Sequence, residues 1–111
     1  MKNMTFFLIL FASSIITGTV IHVPGDQPTI QAGIDYAVDS DTVLVAPGTY
    51  FENIIWPETN GIKLIGSGVN ECFIDGSEGT NTIIRFDSPL IDLSTLLTGF
   101  TIQNGNNTAP G

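Results

Sequence analysis

The sequence predicts an all-β protein of the solenoid type, with short parallel strands wound into stacked coils and one amphipathic helix near the start. Three observations predict it. Helical periodicity is confined to one stretch, residues 26–41. After Asp41 the chain becomes a succession of short β-branched runs, TVLVA, ENIIW, IKLIG, CFID, TIIRF and LTGFTIQ, divided by Gly, Asn, Asp and Ser. Comparable points in the main runs, at 43–45, 62–65, 83–86 and 100–102, recur about every 20 residues, at the short end of the periods that mark repeat arrays.

The first element is an address. Lys2 leads an apolar stretch at 6–16 that gives way to small residues, the three-part form of a secretory signal peptide. That stretch is too short for a membrane span, which needs about 20 residues. Thr17 and Thr19 stand at positions −3 and −1 of a cut before Val20, so residues 1–19 are set aside as a cleavable leader and the protein is expected outside the cell.

Next, VIHVPGD reads as a short strand ending at a Pro-Gly turn. In DQPTIQAGIDYAVDSD the apolar residues Ile30, Ile34, Ala37 and Val38 fall on one helical face. Asp26 is placed to cap the free amides and Pro28 to occupy the first turn, with the helix ending near Asp39. Ile30, Ile34 and Val38 are the residues expected to lie over the first coil, where a solenoid otherwise exposes an apolar end and an unpaired strand edge. Residues 20–41 thus form a strand and capping helix, and residues 42–111 the first coils.

Two details favour coils over a sandwich or barrel. Runs such as Thr42-Val43-Leu44-Val45 and Asn53-Ile54-Ile55-Trp56 are apolar at consecutive positions, as covered parallel strands are. The hairpin-type pair Asp75-Gly76 precedes a polar loop rather than a second strand. Following LTGFTIQNG there is no second amphipathic helix, so the C-terminal edge is expected to be met by further coils or by a partner.

The segments TIQAGIDYAVDSDTVLVAPGTYFENI, IKLIGSG, FIDGS and GFTIQNG resemble, in that order, the N-terminal part of right-handed parallel β-helix proteins. Relatives of that kind are the pectate-lyase-like superfamily, pectin methylesterases and bacterial surface proteins built from β-helix repeats. The resemblance spans residues 28–104 and implies a right-handed coil. It implies no catalytic residue, because in pectin methylesterases the catalytic carboxylates, glutamine and arginine lie on coils downstream of the matching segment. The tail TIQNGNNTAPG looks more like the surface-protein repeats. The expectation is therefore a secreted or cell-surface scaffold segment that binds polysaccharide or other surface ligands. The alternative is the start of a carbohydrate-active enzyme of pectin methylesterase or polysaccharide lyase type, whose catalytic coils would follow.

Composition sets bounds on both readings. Without Lys2, only Lys63 and Arg85 stand against 11 carboxylates, which excludes nucleic acid as a partner class. One cysteine, Cys72, permits no internal disulfide and reads as a small strand residue. Tyr50 and Glu52 follow the Pro47-Gly48 turn, but glycoside hydrolysis needs a second carboxylate facing the same sugar, and no run supplies one. Asp39 and Asp41 offer oxygens for Ca²⁺, the one cation the acidity suggests; turn chemistry explains them as well. His22 is the single histidine, so no histidine metal pair exists. Asp75, Asp87 and Asp92 would converge only if their coils stacked in register. Asn104 is placed to begin an asparagine stack. Trp56 is the residue that would stack on a sugar ring if exposed, or fill a core corner if not. Asn106-Asn107-Thr108 fits a glycosylation acceptor. No catalytic, cofactor-binding or metal-ligating residue is assigned.

Overall fold

The structure, a computed structural model, describes residues 18–79 and 82–105. Most of the expected leader, and the Asn106-Asn107-Thr108 acceptor, lie outside the described residues.

Nine strands and one helix are described: β1 (Val20–Val23), α1 (Ile30–Tyr36), β2 (Thr42–Val45), β3 (Gly48–Phe51), β4 (Ile54–Trp56), β5 (Lys63–Gly66), β6 (Cys72–Asp75), β7 (Ile84–Phe86), β8 (Leu96–Thr98) and β9 (Thr101–Gln103). They form three sheets, ordered β1-β2-β5-β8, β3-β6-β9 and β4-β7. Every pairing is parallel. β1 meets β2 across the helix, and from β2 on each strand meets its next neighbour only after the chain has visited the other two sheets, so the result is a solenoid-like stack of about three turns. β2-β3-β4 and β5-β6-β7 are its complete turns, with β1 and α1 before them and β8-β9 after.

The register corrects the expected spacing. Thr42 pairs with Lys63 and Lys63 with Leu96, steps of 21 and 33 residues rather than an even twenty. The run at 83–86 belongs to a different sheet, where β7 pairs with β4, and the run at 100–102 pairs with β6. The loops between strands vary in length, so hydrogen-bond register, not sequence distance, defines a turn. Asn60 steadies the longest detour: its side chain accepts from Asp92 N–H at 3.0 Å and donates to the Leu90 carbonyl. GTYF, which lies outside the runs picked out from the sequence, is strand β3, and LTGFTIQ divides into β8 and β9 around Gly99, whose φ is +84°.

The core is the inside of the tube. Ile21, Val43 and Leu64 stack in one column, with Cys72, Ile74, Ile54, Ile62 and Trp56 buried from the other faces. Alternation puts every second member of a strand inside, as in β2, where Val43 and Val45 are buried and Leu44 is exposed. At one corner the coils touch backbone to backbone. A Cβ on Gly66 would lie 2.4 Å from the Gly99 carbonyl oxygen, and one on Gly99 2.4 Å from that of Gly66, so only glycine permits the contact.

The helix is shorter than expected, and one residue of its predicted face is wrong. Thr29, extended at φ −135°, is the N-cap, and its hydroxyl accepts from Ala32 N–H at 3.0 Å. Asp26 instead folds back onto β1, and Pro28 precedes the cap. Helical backbone stops at Ala37 (φ −67°, ψ 150°), and Asp41 Oδ2 takes the Val38 N–H at 2.9 Å. That side chain offers the amide a partner outside the helix, so Val38 leaves the apolar face and is 63% exposed. Ile30 and Ile34 are fully buried, and Ala37 is buried in Val38's place. The helix packs on β1, β2 and β4. Gly33 sets its distance, since a Cβ there would meet Val43 Cγ1 at 2.9 Å.

Candidate functional site

The two ends of the stack differ in chemistry. At the N-terminal end the strand edges are met by side chains and turns. Glu52, on the loop between β3 and β4, accepts from the Ile30 and Gln31 amides at 2.9 and 3.0 Å, satisfying free donors at the helix start. Gln31 uses its carboxamide as a short strand would: Ile55 N–H donates to its Oε1 and its Nε2 donates to the Ile55 carbonyl, both at 2.8 Å. These are the groups of β4 that face away from β7. On β1, His22 N–H donates to Asp26 Oδ2 at 2.8 Å, while the His22 carbonyl accepts from the Asp26 and Gln27 amides.

At the opposite end the columns of the described residues finish on partly exposed side chains. Ile102 pairs with the fully buried Ile74 but is itself 47% exposed, and Phe86 pairs with the buried Trp56 and is also 47% exposed. Leu97, half-buried, tops the column of Leu64. These inward-facing side chains, with Ile83 and Ile84, line an apolar groove of 540 Å³ between the last strands of the three sheets. Among the described residues β7, β8 and β9 each pair on one side only. Apolar side chains and strand edges are thus presented together, the combination that recruits another strand.

Asp75 ties the last coil to the one beneath it. It is 5% exposed; its Oδ1 accepts from Ser77 N–H at 2.8 Å, and its Oδ2 accepts from the Gln103 and Asn104 amides at 2.9 Å each. The bonds from Ser77, then those from Gln103 and Asn104, hold its carboxyl well below the usual carboxylate range. Asn104, at a left-handed φ of 57°, therefore bonds to an aspartate rather than opening an asparagine stack.

The other candidate residues are kept apart. Trp56 is 2% exposed and stacked on Phe86 with centroids 4.9 Å apart, so it fills the core and does not face a sugar. Among the described residues its Nε1 has no hydrogen-bond partner. Tyr50 donates to the Ala46 carbonyl at 2.8 Å, and desolvation pushes its phenol up in pKa. Both Asp41 oxygens are taken by backbone amides, Thr19 at 2.7 Å and Val38 at 2.9 Å. Asp87 pairs with Arg85 on the surface at 3.0 Å, and Asp92 accepts from Ser94, which lowers its pKa. Asp75, Asp87 and Asp92 do not converge, and the described residues contain no group of three or more His, Cys, Asp or Glu able to hold a metal. Cys72 is buried with its thiol pushed up by desolvation, the opposite of an activated thiolate.

Sequence reasoning missed Gln31 and the clamping role of Asp75. Gln31 sits on a polar helical position and bonds to a residue 24 positions away, a relation no local pattern carries. The buried aspartate had one signal, its place at the end of the apolar run CFID. No protein-family model, curated protein or solved structure matches the chain, so the unlike ends of its coil stack are what bear on its function.

Proposed function

We propose that this chain is the opening segment of a secreted or cell-surface right-handed β-helix scaffold of pectate-lyase-like type. In this reading α1 and the Asp26 turn cap the first coil, the open end receives further coils, and the outer faces carry polysaccharide or other surface ligands. A right-handed path is the ordinary sense for parallel strands joined by crossovers. The observation that carries the reading is the difference between the ends: Gln31 and Asp26 bond to strand edges at one, where Glu52 holds the start of the helix, while at the other Phe86 and Ile102 are exposed and Leu97 is half-buried. A coil whose apolar residues continue those columns would bury them. The enzymatic alternative gains no support from these residues, because Asp87 and Asp92 bond to neighbours in sequence, Asp75 is taken up by Ser77, Gln103 and Asn104, and the three form no cluster.

Charge narrows the ligand. With a formal net charge of −8, the surface repels polyanions, so a neutral or cationic polysaccharide is the favoured class. Sedimentation of the chain alone tests the open end: it is expected to self-associate and bind a hydrophobic dye, and Ile102→Lys with Leu97→Lys to abolish both while circular dichroism is unchanged. A monomeric, dye-silent wild type would refute the open-end reading. Electrophoresis through gels cast with neutral, cationic or anionic polysaccharides tests the ligand. Retardation only by polyanions, or by none, would refute that part.

A further inference from the structure

We infer that the outer face of β3-β6-β9 is a binding platform for a neutral polysaccharide, with Phe51 and Phe73 as the rings on which sugars stack. This rests on the scaffold reading above and narrows it to one face and one ligand charge.

Alternation and register place both rings outside the tube. Cys72 and Ile74 of β6 are buried in the core, so Phe73 points the other way. Tyr50, paired with Ile74, packs against the core, which sends Thr49 and Phe51 outward. Phe73 shares a row with Thr49 and Thr101, and Phe51 lies in the next row with Asp75 and Gln103. The two rings are thus diagonal neighbours on adjacent coils, about 7–8 Å apart at the backbone. Phe51 is 51% exposed and Phe73 is half-buried. The other sheets have no such floor. Among the described residues β1-β2-β5-β8 turns Leu44, Lys63 and Ile65 outward and β4-β7 turns out Ile55 and Arg85, and no strand of either sends a Phe, Tyr or Trp to the outer face.

Polar groups beside the rings are held from behind. Gln103 Nε2 donates to Oδ2 of the buried Asp75 at 2.9 Å, which leaves its Oε1 to accept from a sugar hydroxyl. The Thr101 hydroxyl donates to the Val69 carbonyl at 2.6 Å, so its oxygen also faces a ligand as an acceptor. Apolar ring faces for the C–H side of a sugar, with fixed acceptors alongside for its hydroxyls, suit a carbohydrate chain. Charge selects the class. Lys63 and Arg85 lie on the other two sheets, so the strands of this face offer a polyanion no cation. Their one carboxylate, Asp75, is taken up by Ser77, Gln103 and Asn104, which leaves a polycation no open partner.

Affinity electrophoresis tests this, in gels cast with hydroxyethyl cellulose or galactomannan as neutral polymers, glycol chitosan as the cationic one and polygalacturonate as the anionic one. Retardation by a neutral polymer is expected. Phe51→Ala should weaken it at least about fivefold, the loss of one ring contact, with circular dichroism unchanged. Phe51→Tyr should retain it, as should Ile55→Ala on another face. Thr49→Lys, an exposed change in the row of Phe73, should also weaken it and decides the matter if Phe51→Ala does not fold. Neutral binding undiminished in the folded variants would place the ligand on another face and overturn the inference while the scaffold reading stands. Retardation by glycol chitosan alone would overturn the neutral class and likewise leave that reading standing. Retardation by polygalacturonate alone, or by no polymer, would overturn both.

Discussion

Replacing Glu52 by alanine should loosen the helix without touching any apolar contact. Glu52 is half-buried and accepts two backbone amides, Ile30 at 2.9 Å and Gln31 at 3.0 Å, across 22 and 21 residues. Hydrogen bonds to a charged group contribute about 1.5–3 kcal/mol each, and partial exposure puts these at the low end. Part of the loss is recovered because water can reach the freed amides. The net cost is therefore about 2–3 kcal/mol, or a fall of roughly 8–24 °C in the thermal midpoint of a domain this small. Glu52→Gln keeps one acceptor oxygen and should lose about half as much. Urea titration followed by circular dichroism measures both variants, and Gln31→Ala, which frees the Ile55 edge, provides a companion with an added readout in sedimentation. If Glu52→Ala and Glu52→Gln both unfold within 0.5 kcal/mol of the wild type, a scale on which surface changes ordinarily fall, the helix is not held to the stack through this carboxylate and the reasoning fails.

Three further outcomes follow from the geometry. Trp56→Phe keeps a ring on Phe86 and deletes an indole N–H without a described partner, so it should cost about 1 kcal/mol, against about 3–5 kcal/mol for Trp56→Ala; equal losses in denaturant melts would contradict the stacked-core placement. Gly99→Ala places a Cβ against the Gly66 carbonyl at a φ of +84° and should destabilise by about 1–3 kcal/mol, with a wild-type melt arguing against the backbone contact between coils. The Asp75 carboxyl is depressed from 3.8 in the folded protein, so its contribution is present above that value and lost as pH falls through the folded pKa. The urea midpoint should therefore drop below about pH 4, and Asp75→Asn should flatten that drop; an unchanged acid profile in the variant would exclude Asp75 as its source.

Much of the architecture was legible from short apolar runs divided by turn residues, such as Thr42-Val45 and Asn53-Trp56, although these strands are covered on one face only, with Leu44 and Ile55 exposed on the other. The helix was legible from Ile30 and Ile34, but its end was not. Val38 continues the periodicity, and only the position of Asp41, whose carboxylate reaches back to its amide, shows that the chain has already turned. Strand β3 was missed because Gly48-Thr49-Tyr50-Phe51 carries no buried alternation of its own: three of its four residues are exposed. Trp56 illustrates the limit for sites. An aromatic beside a proline reads alike on a sugar-facing groove and in a core, and burial against Phe86 decided it.

By itself the sequence determined the class of the fold, the single helix, the acidity and the absence of a disulfide framework, since all of these depend on composition or on neighbours a few residues apart. Tertiary structure alone decided which runs share a sheet, that successive turns advance by 21 and then 33 residues in the first sheet, and that among the described residues Gln31 bonds to a strand edge at one end while Phe86 and Ile102 are exposed at the other. The reason is physical. Coil-to-coil register is set by hydrogen bonds and by close glycine contacts between residues far apart in the chain, and loops of unequal length leave no periodic trace of it.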